Sequence, residues 1–385
     1  MDILIVSKHF WPENFRINQV VENLSKYNKI FILSEKPSYH KHKLRNKLNA
    51  KIKIIRVWTY PRSKSLFSLF LNYITFVING SFKIFTIDKK KFDLIFVYAT
   101  SPIFQAIPAI IYSKVKQIPC FLWVQDLWPD VLEDLNIFRN FFTLQIIKKI
   151  TKMIYQNSSV IFVQSTAFKK SIQSIVKKKV KILYNPENKV KYKFKNINSK
   201  KIKLLFAGNI GKAQNLNILI KTALAFKDSN VIFEIYGDGS EAKKLTKLIK
   251  INELSKIIKL FKPISVRKLN NKIQNSNGLL LILGKGKALS KTLPAKLQTY
   301  ISHGKPIIVS ADGEVSNFVK RNKLGFVSKS NNYKGLINSI VKLKKLTINE
   351  KKFIYNKSNI IFESYFEINF WTKKLNKQFK DYLKK

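Results

Sequence analysis

The sequence predicts an α/β protein made of two Rossmann-like, doubly wound parallel-sheet domains, and three observations carry the prediction. The chain has 385 residues, more than the roughly 100 to 200 that one domain usually takes. Short apolar runs alternate with longer amphipathic stretches along its whole length, as in parallel sheets covered by helices on both faces. The alternation is interrupted once, at 186–200, where PENKVKYKFKNINSK is polar, Lys-rich and opened by Pro186.

Before that break the apolar runs predict strands at 2–7, 29–34, 51–58, 93–98, 120–124, 159–165 and 180–185. Helical periodicity fills 16–26, 65–87, 103–116, 137–156 and 166–176. After it, strands are predicted at 203–208, 231–237, 257–262, 278–283 and 306–311, with helices at 214–227, 240–250, 265–275, 294–303 and near 333–345, and a terminal stretch at 349–384. The domains are accordingly drawn at 1–186 and 201–355 around a linker at 187–200. The segment 356–385 is expected to cross back as a helical tail. The run at 65–87 is apolar enough for three readings: a core helix, a helix dipping into a membrane surface, or a span.

Composition narrows the function. A 45% hydrophobic content excludes a disordered tail, and a single cysteine, Cys120, excludes a disulfide scaffold. Four scattered histidines (His9, His40, His42, His303) give no metal site. The apolar run that opens the chain is about five residues, too short for a signal-peptide core. With 72 Lys+Arg against 22 Asp+Glu the formal charge is +50, which must attract anions: nucleic acid, an anionic membrane or phosphorylated substrates. Only seven of those cations are Arg, the residue that reads bases and phosphates bidentately, and they form no basic arm, so nucleic acid is not expected as a partner.

In doubly wound sheets, chemistry gathers in the loops after the strands. After 203–208 comes Gly208-Asn209-Ile210-Gly211-Lys212, two glycines and a lysine running into a predicted helix, a combination suited to a diphosphate. Gly237-Asp238-Gly239 follows the next strand and permits a tight turn. A third loop, 284–294, carries Lys285, Lys287, Ser290 and Lys291 and leads to Lys296 and Thr299. In the first half, the loop after strand 2–7 holds Trp11, Glu13, Asn14 and Arg16 and contains no glycine, so it is not the pyrophosphate turn of a dinucleotide oxidoreductase. It suits a hydroxyl-rich ligand. Asp126 stands at the end of strand 120–124, in Gln125-Asp126-Leu127-Trp128-Pro129-Asp130, where an Asp is also a common helix cap.

FWPENFRIN at 10–18, KPSY at 36–39, RVWTYPR at 56–62, WVQDLWPD at 123–130, FAGNIGKAQNL at 206–216, YGDGSE at 236–241, LPAKLQTY at 293–300 and GKPII at 304–308 occur in that order. Together they resemble glycosyltransferase family 4, of GT-B fold, in the subgroup that builds O-antigens and capsules and includes L-fucosamine transferases of the WbuB type. The resemblance covers nearly the whole chain. It implies two domains facing a central cleft and a retaining, metal-independent transfer without a cofactor. The donor, a UDP-linked deoxy-amino sugar such as N-acetyl-L-fucosamine, would bind the C-terminal domain, and a polyprenyl-diphosphate-linked glycan the N-terminal one. Such an acceptor implies a cytoplasmic enzyme attached peripherally to the anionic inner face of the membrane.

Carried over by position, Asn209, Gly211 and Lys212 match the diphosphate-side turn, and Gly237, Asp238 and Gly239 the second donor loop. Asp126 matches the strand end where the family places a catalytic His or Asp. Glu13, Asn14 and Arg16 match the first loop, beside Trp11 on the acceptor side. Lys212 and Lys296 are assigned to charge on the leaving diphosphate, with Arg16 available from across the cleft. The chain departs from the wider family at the two glutamates before the GxP turn: Thr299 takes the second position, and Ser290 and Lys291 stand where the first is expected. Two other classes fit parts of the pattern, a nucleotide-sugar 2-epimerase of the same fold and a non-catalytic basic binding protein. The low histidine content argues against the first; loss of all nucleotide binding, with tight salt-sensitive binding to any polyanion, would favour the second.

Overall fold

The computed structural model describes residues 1–384 except 14, 38–47, 64, 88–91, 135–140, 191 and 198. Asn14, the Ser-Tyr half of KPSY, His40, His42 and Phe138 therefore lie outside the described residues. The chain divides into two compact units, Met1–Glu187 with Glu367–Lys385, and Asn188–Phe366.

The first unit holds β1 (Asp2–Val6), α1 (Arg16–Leu24), β2 (Lys29–Glu35), β3 (Ile52–Val57), α2 (Leu66–Ile87), β4 (Leu94–Ala99), α3 (Ile107–Lys116), β5 (Cys120–Val124), α4 (Asp130–Asp134), α5 (Phe141–Gln156), β6 (Val160–Val163), α6 (Thr166–Gln173) and β7 (Val180–Ile182). Its strands form a parallel sheet in the order β3-β2-β1-β4-β5-β6-β7. The continuous apolar runs LIFVYA and CFLWV are buried along their whole length because central parallel strands are covered on both faces. The edge strand β3 is only partly buried.

The second unit holds β8 (Ile202–Ala207), α7 (Ile218–Leu224), β9 (Val231–Tyr236), α8 (Ala242–Ile251), β10 (Ile258–Phe261), α9 (Val266–Gln274), β11 (Gly278–Ile282), α10 (Lys287–Lys291), α11 (Ala295–Ser302), β12 (Ile307–Ser310), α12 (Glu314–Arg321), β13 (Gly325–Ser328), α13 (Tyr333–Lys344) and α14 (Ile348–Tyr365). Its sheet is parallel, in the order β10-β9-β8-β11-β12-β13. The chain then returns to the first unit as α15 (Ile368–Leu383). There the Phe379 ring lies 5.0 Å from Phe121 and 5.5 Å from Phe96, and Trp371 Nε1 donates to the Tyr184 carbonyl at 2.7 Å.

Four details differ from the sequence reading. The segment drawn as a linker packs within the second unit: Tyr192 and Phe194 lie 5.6 and 5.7 Å from the Tyr355 ring. The terminal stretch is two helices, broken at Phe366, where the Glu367 side chain caps α15 by accepting from Phe370 N–H at 2.7 Å; the unit boundary therefore falls there and not at 355. The expected helix 214–227 is a 3-10 turn at Lys212–Gln214 and then α7, separated at Asn215, whose φ of 41° no α-helix accommodates. The strand β13 and the helices α4, α10 and α12 are additional.

Helix α2 buries a stripe of one residue in four, Ser68, Asn72, Phe76, Gly80 and Ile84. A Cβ on Gly80 would stand 3.2 Å from Pro108 and 3.3 Å from Leu33, so the helix packs closely along that stripe. Its other faces expose Phe67, Phe70, Ile74, Ile78 and Phe82, the last by 72%. One stripe thus joins the unit's core through Phe76 and Ile84, while the other faces stay outside it. The helix is, among the described residues, long and apolar enough to cross a membrane.

Candidate functional site

Strand order reverses between β1 and β4 in one sheet and between β8 and β11 in the other, the points where such sheets open a crevice for ligands. Both regions hold the residues singled out by sequence. They differ in how their charges are satisfied.

In the second unit the three expected donor loops are bound to one another through their backbones. Ile210 N–H donates to the Asp238 carbonyl at 2.9 Å, Glu241 N–H to the Ile210 carbonyl at 2.9 Å, and Gly284 N–H to the Ala213 carbonyl at 2.8 Å. The approach needs Gly237: a Cβ there would fall 2.0 Å from the Gly208 carbonyl oxygen. Gly239 N–H donates to Asp238 Oδ1 at 2.8 Å, and Gly211 N–H donates to Gln214 Oε1 at 3.1 Å. Asn209, Lys212 and Asp238 are exposed on this edge. Lys212 opens a three-residue 3-10 turn and not the predicted helix, so no helix dipole begins at it and its own charge must act.

Lys296 and Tyr300 explain the P-x-K-x-x-x-Y pattern. Four residues apart on α11, they share one helix face and reach the end of β8. Tyr300 Oη accepts from Ala207 N–H at 3.0 Å. Lys296 Nζ sits 3.7 Å from the centroid of the Phe206 ring, and a Cβ on Gly208 would come within 3.2 Å of it. That ammonium is buried and has no hydrogen-bond partner. Desolvation pushes its pKa down to about 7. Ser290 and Lys291 belong to the short α10, where Ser290 Oγ donates to the Lys287 carbonyl at 2.9 Å. Thr299 lies on α11, and its carbonyl accepts from Ser302 Oγ at 2.7 Å.

In the first unit, opposite charges meet. The β1–β2 register pairs Val6 with Leu33, which brings Lys8 beside Glu35 two residues on. Their side chains are fully buried and 2.6 Å apart. His9 Nδ1 lies 2.9 Å from Glu35 and 3.5 Å from Glu13, which is itself buried. Burial alone would raise the Glu35 pKa, but the hydrogen bond from His9 and the charge of Lys8 outweigh it and hold the carboxyl down to about 2. Lys8 moves below the usual lysine range because its desolvation exceeds the attraction of Glu35. Arg56 donates to the carbonyls of Trp11 and Glu35, and Trp11 is partly buried. Arg16 is matched within its own unit, 2.6 Å from Glu187.

Asp126 Oδ2 accepts from both Ser101 N–H and Ser101 Oγ at 2.8 Å, so it holds the loop after β4 and caps no helix of its own. Desolvation raises its pKa in spite of those two bonds. Trp128 Nε1 donates to the same Ser101 Oγ at 3.0 Å, which ties the Trp-Pro-Asp turn to that loop. The sequence reading assigned no role to Lys8, Glu35, Arg56 or Tyr300. The ends of two adjacent parallel strands were the available signal for the first pair.

Residues 188–359 match the model of the family described as glycosyl transferases group 1. No curated protein matches the chain by sequence. Solved structures match over almost the whole chain. HepE of Anabaena, in complex with UDP and glucose, is 14% identical with a TM-score of 0.72 over 98% of this chain and 99% of that one. Sucrose-phosphate synthase of Thermosynechococcus elongatus is 14% identical, with a TM-score of 0.77 over 99% and 98%. The lipopolysaccharide outer core galactosyltransferase WaaB is 16% identical, with a TM-score of 0.65 over 98% of each chain. The match to the group 1 model is thus confined to residues 188–359, and the two-unit fold is of the GT-B type.

Proposed function

We propose that the protein is a retaining, metal-independent glycosyltransferase that moves a sugar from UDP to a polyprenyl-diphosphate-linked glycan in O-antigen or capsule synthesis. The observation that carries the reading is the Lys296 ammonium beneath Gly208, buried without a hydrogen-bond partner among three glycine-bearing loops, two of them with lysines, in the stretch that matches the group 1 model. As the C1–O bond breaks, negative charge grows on the departing diphosphate, and fixed cations that favour this charge lower the barrier. Lys212 supplies an exposed charge; Lys296 supplies one already stripped of water. Asn209, Gly211 and the loop Gly237–Gly239 would line the diphosphate, with Ser290, Lys291 and Thr299 toward the nucleoside and sugar. Asp126 would orient the donor sugar or favour its developing positive charge, and Trp11, Glu13 and Asn14 form the acceptor side.

UDP is favoured because HepE, a neighbour in fold, was solved with UDP and with UDP-glucose. A deoxy-amino sugar such as N-acetyl-L-fucosamine follows from the resemblance of the sequence motifs to the WbuB-like subgroup. Calorimetry with UDP, followed by transfer assays over a panel of UDP-sugars with and without EDTA, tests the reading. Binding of UDP with EDTA-insensitive transfer and retention at the anomeric carbon is expected. Absence of nucleotide binding would overturn it.

A lipid-linked acceptor cannot leave the bilayer, so the enzyme must work at the cytoplasmic face of the membrane. Two helices of the first unit supply the means: α2 through Phe67, Phe70 and Phe82, and α5 through Phe141 and Phe142, exposed by 68% and 78%, with Lys148, Lys149 and Lys152 alongside. Apolar side chains enter the interface, and each lysine near an anionic surface adds about 1 kcal/mol that salt screens. Sedimentation with anionic vesicles is expected, with loss in high salt and weakening in Phe141→Ser/Phe142→Ser. Equal binding to neutral vesicles would contradict the attachment.

A further inference from the structure

The second unit's sheet has another concentration of unmatched charge at its opposite edge, before β11 and β12. Lys195 comes from the segment that follows the unit boundary, Lys305 from the turn that enters β12, and Lys351 from α14, around a cavity of about 30 Å³. Lys305 is only 8% exposed, and the one bond its ammonium makes is a long one, 3.5 Å, to the Lys195 carbonyl. Among the described residues none of the three lysines has a carboxylate partner, and the exposed Lys195 donates to Asn275 Oδ1 at 2.9 Å. Burial, and then the like charges of Lys195 and Lys351, push the Lys305 pKa down to about 8.

A hydroxyl completes the set. Tyr192 Oη is buried without a hydrogen-bond partner, although the rest of its ring is well placed, 5.8 Å from His303 and 5.6 Å from Tyr355. Gly304, at φ +62°, leaves room for it: a Cβ there would stand 2.5 Å from that oxygen. A buried hydroxyl without a partner costs about 1–3 kcal/mol, and a buried ammonium such as that of Lys305 costs more unless it is neutralised. A tetrahedral oxyanion would satisfy all four groups at once, with charge-assisted bonds. Beside the cavity, Tyr192 and Tyr355 also wall a groove of about 540 Å³ lined by Lys193 and by the Lys189–Glu363 ion pair, room for whatever the anion is attached to.

We propose that this pocket binds a phosphate-class oxyanion, held by Lys195, Lys305 and Lys351 with the Tyr192 hydroxyl as fourth donor, at the sheet edge opposite the nucleotide loops. The five residues of β11 separate the two edges by about 16 Å at roughly 3.3 Å per residue, so this is a second site and not an extension of the first. Its occupant would join the segment after the unit boundary to α14, because the ligating groups come from both.

The test is a thermal-shift and calorimetric titration of the full chain with inorganic phosphate, at constant ionic strength against chloride. A saturable rise in melting temperature is expected in the native protein and equally in Lys212→Ala. Lys305→Met should melt above the native protein in the absence of phosphate, since a desolvated charge has gone, and should lose the phosphate response. Lys351→Ala, at a partly exposed position, should weaken phosphate about tenfold, as expected for one charge-assisted bond. Loss of the vesicle binding of phosphatidylglycerol in Lys305→Met would identify the phosphate as a lipid headgroup. Unchanged vesicle binding, with the response to orthophosphate lost, would identify it as a free anion. A phosphate response that survives in both variants, or one that chloride reproduces, would overturn the proposal. Neither result would touch the nucleotide reading, which UDP titration of the same variants reports separately.

Discussion

The two strand-end regions of this protein treat charge in opposite ways. In the first unit Lys8 meets Glu35 and Arg16 meets Glu187, each at 2.6 Å, and Asp126 takes two bonds from Ser101. In the second, Lys212 stands exposed and the Lys296 ammonium is buried over the Phe206 ring with no hydrogen-bond partner. A buried pair that is complete within the fold holds architecture, and breaking it costs stability; a buried cation left incomplete costs stability while empty and is compensated when an anion arrives. The comparison assigns a framework role to the Lys8–Glu35 network and a ligand role to Lys296.

The largest effect expected from this contrast is on stability, in the first unit. Lys8→Met leaves the buried Glu35 carboxylate without its nearest cation and should cost about 3 to 5 kcal/mol, read by urea denaturation. Glu35 also sets a pH dependence. Its carboxyl is held at about 2 against an ordinary 4.5, so its contribution is complete above 4.5 and is lost as pH falls from 4.5 toward 2. Stability that stays flat across that interval would break the contrast from the first-unit side.

Next is Lys296→Met, which should do the reverse: melt no lower than the native protein, yet weaken UDP and slow transfer by about a hundredfold, the scale of losing one donor to a developing anion. With the Lys296 pKa at about 7 against an ordinary 10.5, the unfolded chain binds the extra proton between those values, so native stability should rise with pH across that window. In the variant that rise should shrink. Lys212→Ala should weaken UDP about tenfold with an unchanged melting temperature, because an exposed cation contributes little to folding. The smallest effect belongs to Asp126→Asn. It keeps an acceptor for Ser101, so about 1 kcal/mol of stability is expected to go, while turnover falls and UDP affinity holds. Normal specific activity with early melting would make Asp126 a purely architectural residue.

Much of this contrast was written in the sequence, and the exceptions have physical causes. Both sheets were legible because central parallel strands such as LIFVYA and GLLLI are unbroken apolar runs. β13 was not, since GFVS is short and offers one β-branched residue. The break at Phe366 carries neither Gly nor Pro, and its cap is a glutamate, outside the usual capping set. The donor loops were legible from glycine and lysine spacing. That Gly237 serves loop-to-loop approach was not, because it depends on the Gly208 carbonyl in the loop after the neighbouring strand. The burial of Lys296 was equally hidden: its spacing from Tyr300 predicts a shared face, but only the packing of α11 on β8 removes water from its ammonium.

The central claim is that Lys296 waits for the charge of a diphosphate, and proton uptake on UDP binding measures it most directly. At pH 8 an ammonium with a pKa of about 7 is mostly neutral, and a diphosphate beside it should restore the charge. Calorimetry in buffers of different ionisation enthalpy should therefore record close to one proton taken up per UDP by the native protein, falling toward zero at pH 6 and absent at pH 8 in Lys296→Met. No uptake by the native protein at pH 8, or an equal uptake in the variant, would contradict the account.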